Sequence, residues 1–167
     1  MAGRRLIVVM GVAGCGKSTI AEALAGHLSV RWFDGDDLHP AANVEKMKSG
    51  VPLTDEDRWP WLAKIGAALA EGEGDAVGAC SALKRVYRRK IAEAATEPVR
   101  FLHLSGDKAL ISSRMNARKG HFMPPALLDS QFATLEPLSE EEPHLILDIR
   151  KSVDEIVAEA ASWLNGG

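Results

Sequence analysis

Only two cysteines, Cys15 and Cys80, occur in the 167-residue chain, and they lie far apart in sequence. Neither a metal cluster nor a disulfide framework can be built from them, so both read as reduced thiols. A basic excess is missing as well, with a formal net charge of −3 and an isoelectric point near 6.0. That balance excludes the electrostatic footprint of a nucleic-acid binder or of a protein held on an anionic membrane. No apolar run approaches the roughly 18 residues of a membrane helix, which makes the cytoplasm the expected location. The one leader-like stretch, Arg4-Arg5 followed by Leu6 to Met10, passes directly into glycines and Lys17 and reads as a first strand. Repeats and low-complexity segments are absent too.

What is present is the balance of an ordinary globular chain, 46% hydrophobic and 26% charged, of a length that suits one domain over 1–167. Short apolar runs predict strands at Leu6 to Met10, Val30 to Asp34, Ala76 to Cys80, Val99 to Leu104 and Leu145 to Ile149. Because the runs are continuous rather than alternating, the strands are expected to be buried on both faces. Helices are predicted between them at Lys17 to Leu28, Trp59 to Ala70, Lys84 to Ala95, Lys108 to Arg118 and Val153 to Leu164. Two of these have starting signals, Thr54 with Asp57 and Ser152 with Glu155, a hydroxyl and a carboxylate spaced to satisfy free helix amides. The last helix carries an apolar stripe of Val153, Ile156, Val157, Ala160, Ala161 and Leu164, with Trp163 read as packing. Glu140-Glu141-Glu142 before Pro143 reads as a solvated loop. The alternation implies right-handed crossovers, and hence a three-layer α/β/α sandwich on a mainly parallel five-stranded sheet.

The segment Gly11-Val12-Ala13-Gly14-Cys15-Gly16-Lys17-Ser18 fits G-x-x-x-x-G-K-[ST] completely, after a predicted strand and opening a predicted helix. Glycines let the backbone wrap closely round phosphate, so that successive amides and the helix N-terminus face its oxygens. Lys17 is expected to hold the β- and γ-phosphates, Ser18 to bind Mg²⁺ and Thr19 to add a hydroxyl at the α-phosphate. Cys15 reads as a tolerated loop residue and not a nucleophile. A GTPase needs an N-K-x-D segment, which is lacking, and the chain is short for most motor or AAA-type ATPases. A compact metabolite or nucleotide kinase remains, with ATP as donor.

After the second predicted strand comes Asp34-Gly35-Asp36-Asp37-Leu38-His39-Pro40, acids in the region expected to face the phosphates. Here the chain resembles the gluconate kinase (gluconokinase) family, in the shikimate-kinase-like branch of P-loop kinases. The resemblance rests on GVAGCGKST at 11–19, DGDDLHPAANVEKMKSGVPLTDEDRWPWL at 34–62, CSALKRVYRR at 80–89 and RMNARKGHFM at 114–123, with the weaker SQFATLE at 130–136. It implies phosphorylation of D-gluconate at its 6-hydroxyl by ATP, giving 6-phosphogluconate and ADP, by a homodimer. It also implies that Asp34 reaches Mg²⁺ and that Asp36 receives or orients the proton of the attacking hydroxyl. On an extended segment residues two apart point the same way, which would face both carboxylates into one cleft and turn Asp37 away. His39, Arg58 and Lys84 are candidates for the sugar acid, whose carboxylate and hydroxyls need cationic and hydrogen-bonding partners. Arg58 leads, since a guanidinium grips a carboxylate through two parallel bonds. Lys84 shares its helix with Arg85, Arg88 and Arg89, which read equally as a solvated face. The third strand ends in Cys80-Ser81 with no Walker B aspartate, leaving the metal to Ser18 and Asp34.

Arg114 and Arg118 stand four apart on a predicted helix and so project from one face. With Lys119-Gly120-His121-Phe122-Met123-Pro124-Pro125 just beyond, they resemble the mobile lid of nucleoside and shikimate kinases, here about 114–126. That likeness implies that Arg114 covers adenine and Arg118 contacts the transferring phosphoryl group. Gln131 and Glu136 read as structural. Two other readings stand beside gluconate kinase: a kinase of another small metabolite such as shikimate or a nucleoside monophosphate, and a non-catalytic nucleotide-binding switch. Lys17, Ser18, Asp36 and Arg118 together argue against the switch, and the run from His39 to Trp61 argues for gluconate.

Overall fold

The computed structural model describes residues 4–117 and 125–166. Five parallel strands, β1 (Leu6–Met10), β2 (Arg31–Asp34), β3 (Ala76–Ala79), β4 (Val99–Ser105) and β5 (His144–Asp148), form one sheet in the order β2-β3-β1-β4-β5. The helices among the described residues are α1 (Lys17–Leu28), α2 (Ala41–Lys48), α3 (Asp55–Ala70), α4 (Arg85–Ala95), α5 (Lys108–Ala117), α6 (Pro125–Thr134) and α7 (Val153–Gly166).

The middle strand shows why three layers form. Every residue of β1 is buried, and its side chains divide by alternation. Ile7 and Val9 pack with Ile20 and Leu24 of α1 and Ile156 and Leu164 of α7. Leu6, Val8 and Met10 pack with Leu62, Ile65 and Leu69 of α3 and Ile91 of α4. The central strands are thus covered on both sides, as their continuous apolar runs predict, but the edge strands are not: no residue of β2 is fully buried and Ile146 of β5 is 56% exposed. Neighbouring strands also end level, with Asp34 beside Ala79 and Val9 beside both Ala79 and Leu102. Loops leaving these C-terminal ends therefore meet at one edge, where ligands bind in open α/β sheets.

Both predicted helix starts are present. Asp57 donates its amide to Thr54 Oγ1 at 3.2 Å while its carboxylate accepts the Thr54 amide at 2.9 Å, and Ser152 with Glu155 repeats the exchange. The cap at Thr54 extends α3 upstream to Asp55, whereas apolar periodicity alone begins it at Trp59. Lys84 caps α4 rather than opening it. Helices α2 and α6 have no counterpart in the sequence reading, α2 because it is short and polar, α6 because it opens at Pro125 inside the segment read as a lid. In α7 the expected stripe is buried except for Val153, which is 40% exposed in the first turn.

One expectation fails instructively. Arg88 belongs to no solvated face, since its side chain is only 1% exposed. Its guanidinium donates to Ala82 O, Leu83 O and Glu136 O and pairs with Glu142 at 2.9 Å. The acidic run is therefore not uniformly solvated: Glu142 is the counter-charge of a buried cation, while Glu141 stays exposed opposite Arg85. A charge run on a sequence does not reveal which member turns inward.

Candidate active site

The loop from Gly11 to Ser18 joins β1 to α1, so its amides gather at a helix N-terminus above the sheet. Gly16, the residue before α1, sits at φ 95, a left-handed conformation that side chains resist. Lys17 folds its ammonium back across the loop to donate to Val12 O at 3.1 Å. Cys15 is buried, and burial pushes its thiol up from the ordinary range, away from the thiolate a nucleophile needs.

Because β2 lies one strand from β1, its last residue arrives beside this loop. Asp34 Oδ2 accepts the Ser18 hydroxyl at 2.7 Å and Oδ1 accepts the Asp36 amide at 3.0 Å. The extended geometry expected across 34–36 is not found. The backbone is extended only as far as Asp34, then turns through a short 3-10 segment, Gly35–Leu38. Gly35 permits the turn because a Cβ there would come within 2.5 Å of Ala79 O. Its carbonyl is held by Trp61 Nε1 at 2.7 Å.

The turn leaves Asp36 exposed as a residue, with its carboxylate partly desolvated beside that of Asp34. Desolvation raises its pKa above the ordinary 3.8, and Asp34 adds to that, while Lys17 and His39 oppose. His39 stacks on Trp61 with ring centroids 4.1 Å apart, and its Nδ1 lies 3.2 Å from Asn43 Nδ2. Asn43 also donates to Asp57 O, so an amide hydrogen toward His39 makes Nδ1 the acceptor and leaves the proton on Nε2. Desolvation lowers the imidazole pKa below 6.5, which favours this neutral form.

Beside the loop a cleft of about 450 Å³ is lined by Arg58, Trp61, Ser81, Tyr87, Gln131 and Thr134 among others. Arg58 Nη1 donates to Leu53 O at 2.9 Å and to Tyr87 Oη at 3.2 Å. The Lys84 ammonium lies 5.5 Å from the Tyr87 ring centre, so both cations flank one aromatic side chain. At the end of β3, Ser81 contributes its carbonyl, which accepts the Gly11 amide at 3.3 Å. A second cavity, about 320 Å³, lies across the loop and is lined by Gly16, Thr19, Arg114, Ile149, Ser152 and Val153 among others. Arg114 closes it by donating to Ile149 O at 2.7 Å. Arg118, and with it residues 118–124 of the lid expected at about 114–126, lies outside the described residues.

The structure thus gathers Lys17, Ser18, Asp34 and Asp36 at one loop, His39, Arg58 and Lys84 on one side of it, and Arg114 on the other. It adds Tyr87 and Asp55, to which sequence reasoning gave no part, and Gln131, which reads from sequence as structural. Gln131 accepts the Ala13 amide at 2.7 Å while lining the larger cavity, so it bridges loop and cleft. Tyr87 and Asp55 tie Arg58 to Lys84. The segments quoted for the resemblance contain all three, but nothing in their spacing separates them from surface residues.

Residues 6–138 match the family model described as an AAA domain, which spans the phosphate loop and both walls of the cleft and names no substrate. A gluconokinase of Gluconobacter oxydans is 46% identical over 159 residues, covering 93% of this chain and 88% of that protein. The chain belongs to the gluconokinase family. A solved gluconokinase of Sinorhizobium meliloti superposes with a TM-score of 0.87 at 46% identity, covering 97% of this chain and 94% of that one. An APS kinase of Mycobacterium tuberculosis superposes at 0.70 with 20% identity, over 98% and 99% of the two chains, and shares the fold alone. Family membership agrees with the P-loop kinase architecture of the sheet and its phosphate loop.

Proposed function

We propose that this gluconokinase-family chain transfers the γ-phosphoryl group of ATP to the 6-hydroxyl of D-gluconate, giving 6-phosphogluconate and ADP. The observation that carries the reading is the abutment of two sites: Gln131 lines the cleft that holds Arg58 and also bonds the phosphate loop at Ala13. An acceptor held in that cleft lies next to phosphates held by the loop, the proximity on which phosphoryl transfer depends.

In this reading the loop amides from Gly11 to Ser18 and the Lys17 ammonium neutralise the phosphates, and Thr19 meets the α-phosphate. Arg114 lies over adenine in the cavity it shares with Ile149 and Val153. Arg58 and Lys84 hold the gluconate carboxylate, and neutral His39 donates Nε2–H to a hydroxyl. Asp36 accepts the proton of the 6-hydroxyl, a task favoured by a carboxylate whose affinity for protons is raised. Arg118 would stabilise the transferring group.

The hydroxyl and carboxylate of Ser18 and Asp34, 2.7 Å apart, form a hard-oxygen donor set that suits Mg²⁺. Among the described residues no group of three or more His, Cys, Asp or Glu is arranged to hold a metal, which fits an ion that uses few protein ligands beside substrate phosphates. When bound there, Mg²⁺ supplies charge neutralisation at the β- and γ-oxygens. No helix among the described residues is long and apolar enough to cross a membrane. The family resemblance further supports a cytoplasmic homodimer, which light scattering tests.

A coupled assay of ADP release across gluconate, other sugar acids, shikimate and nucleoside monophosphates tests the reading. Gluconate should give the highest kcat/KM; a higher value for shikimate or a nucleotide would sink it.

A further inference from the structure

Asp55 opens α3, and its surroundings do not suit an ordinary first-turn acid. The cap of α3 is complete without it, since Thr54 and Asp57 satisfy each other's amides. A carboxylate serving only the helix dipole would face water. Instead Asp55 Oδ1 accepts the Tyr87 hydroxyl at 2.5 Å and lies 3.6 Å from Arg58 Nη1, while Oδ2 lies 3.7 Å from Lys84 Nζ. Both cations proposed to hold the gluconate carboxylate are therefore engaged by one internal carboxylate. No other carboxylate among the described residues comes within ion-pair distance of either. The Tyr87 hydroxyl is the main influence holding Asp55 below the ordinary carboxylate range, helped by Lys84 and Arg58 against a smaller cost of desolvation.

Charge counting gives this arrangement a consequence. Arg58 and Lys84 contribute two positive charges and Asp55 one negative, so the head of the cleft carries a net charge of one, the complement of a single carboxylate. An anionic head group attracted by the two cations is also repelled by Asp55, and the repulsion grows with the charge of the ligand. For a dianion the attraction to both cations doubles as well, so Asp55 does not reverse the sign of the interaction but cancels part of the advantage that two unopposed cations would give it. We propose that Asp55 is a specificity-determining residue that tunes the acceptor cleft toward monoanionic sugar acids by offsetting the extra attraction that Arg58 and Lys84 alone would give dianionic head groups such as phosphate monoesters. This rests on the gluconate reading above and deepens it: the cleft is cationic enough to hold an acid, while Asp55 curbs the added attraction that phosphorylated sugars with the same hydroxyl pattern would find there. The gain is selectivity by repulsion, which attractive contacts alone do not supply.

The probe is glucitol 1-phosphate, an open-chain hexitol with a dianionic phosphate in place of the carboxylate and a free 6-hydroxyl. Its competitive inhibition constant against gluconate, divided by the gluconate KM, is measured at saturating ATP and fixed ionic strength. In Asp55→Asn, which keeps a hydrogen-bonding group of the same size, the ratio should fall by about fivefold or more, the factor for one unit charge at 4 Å even at the dielectric of water. Lys84→Gln changes the local charge by one unit in the other direction and should raise the ratio. Asp55→Glu, which restores the charge, should bring it back toward wild type. A ratio unmoved in Asp55→Asn while gluconate is still turned over overturns the charge-matching role, as does a shift of the same sign in Lys84→Gln. A wild-type chain inactive on gluconate would instead overturn the functional reading itself, so the two failures are distinguishable.

Discussion

The phosphate loop and the acceptor cleft are built in opposite ways. The loop is eight consecutive residues between β1 and α1 that present mainly backbone, with Ser81, Gln131 and Asp34 bonding it from outside. The cleft draws Arg58 and Trp61 from α3, Tyr87 from α4 and Gln131 from α6, and side chains bonded to one another hold it. A site made of local backbone survives changes elsewhere in the fold; one made of distant side chains depends on how helices pack. Damage should therefore separate cleanly, with loop-side changes striking chemistry and cleft-side changes striking acceptor affinity or stability.

The largest effect expected is at the junction of the two. Asp36→Asn should lower kcat by ~10²–10⁴, the usual contribution of a positioned base, while Mg-ATP binding measured by calorimetry persists. The base works ionised and its pKa is raised above 3.8, so wild-type kcat/KM should decline as pH falls through a value above the ordinary carboxylate range. The asparagine variant should lack that acid limb. An effect confined to the gluconate KM would move Asp36 to the acceptor side and blur the comparison.

Next in size, Arg58→Ala should raise the gluconate KM by roughly 10- to 100-fold, the loss of a charge-assisted contact of about 1.5–3 kcal/mol, with little change in the ATP KM. Steady-state kinetics with each substrate varied in turn would show it. Equal changes in both constants would mean that the cleft and the loop are not separable.

The smallest change concerns the scaffold alone. Trp61→Phe removes the donor to Gly35 O and alters the surface on which His39 stacks. Leaving a buried carbonyl unpaired costs about 1–3 kcal/mol, so the urea midpoint should fall with an unchanged slope. An unmoved midpoint would show that the turn carrying Asp36 does not need the tryptophan.

The same contrast explains what the sequence disclosed. Lys17 and Ser18 are legible because their neighbours in sequence are their neighbours in space, and the central strands β1 and β3 because burial on both faces leaves unbroken apolar runs. Arg58 entered through the family resemblance and its chemistry, whereas Asp55 and Tyr87 acquire meaning only when α3 packs on α4. For Asp34 and Asp36 the sequence implies an extended segment, whereas the structure has a glycine turn, set by the close approach of Ala79 O. Arg88 shows the limit most plainly, because four basic residues at 85, 88, 89 and 90 look alike until the fold buries one of them.

That buried arginine also decides where the chain can be divided. A fragment ending at residue 138, the boundary of the matched family model, would keep the phosphate loop, Arg58, Tyr87 and Gln131 and so every residue proposed to touch substrate except those that follow β5. It would lack Glu142, the carboxylate that pairs with Arg88 at 2.9 Å. An uncompensated charge in that position costs about 3–5 kcal/mol, a large part of the stability of an ordinary domain. The final strand and helix are thus no appendix to a complete catalytic unit. The counter-ion that keeps the loop after β3 in place is encoded past the end of the recognisable kinase core, and a minimal fragment must reach beyond it.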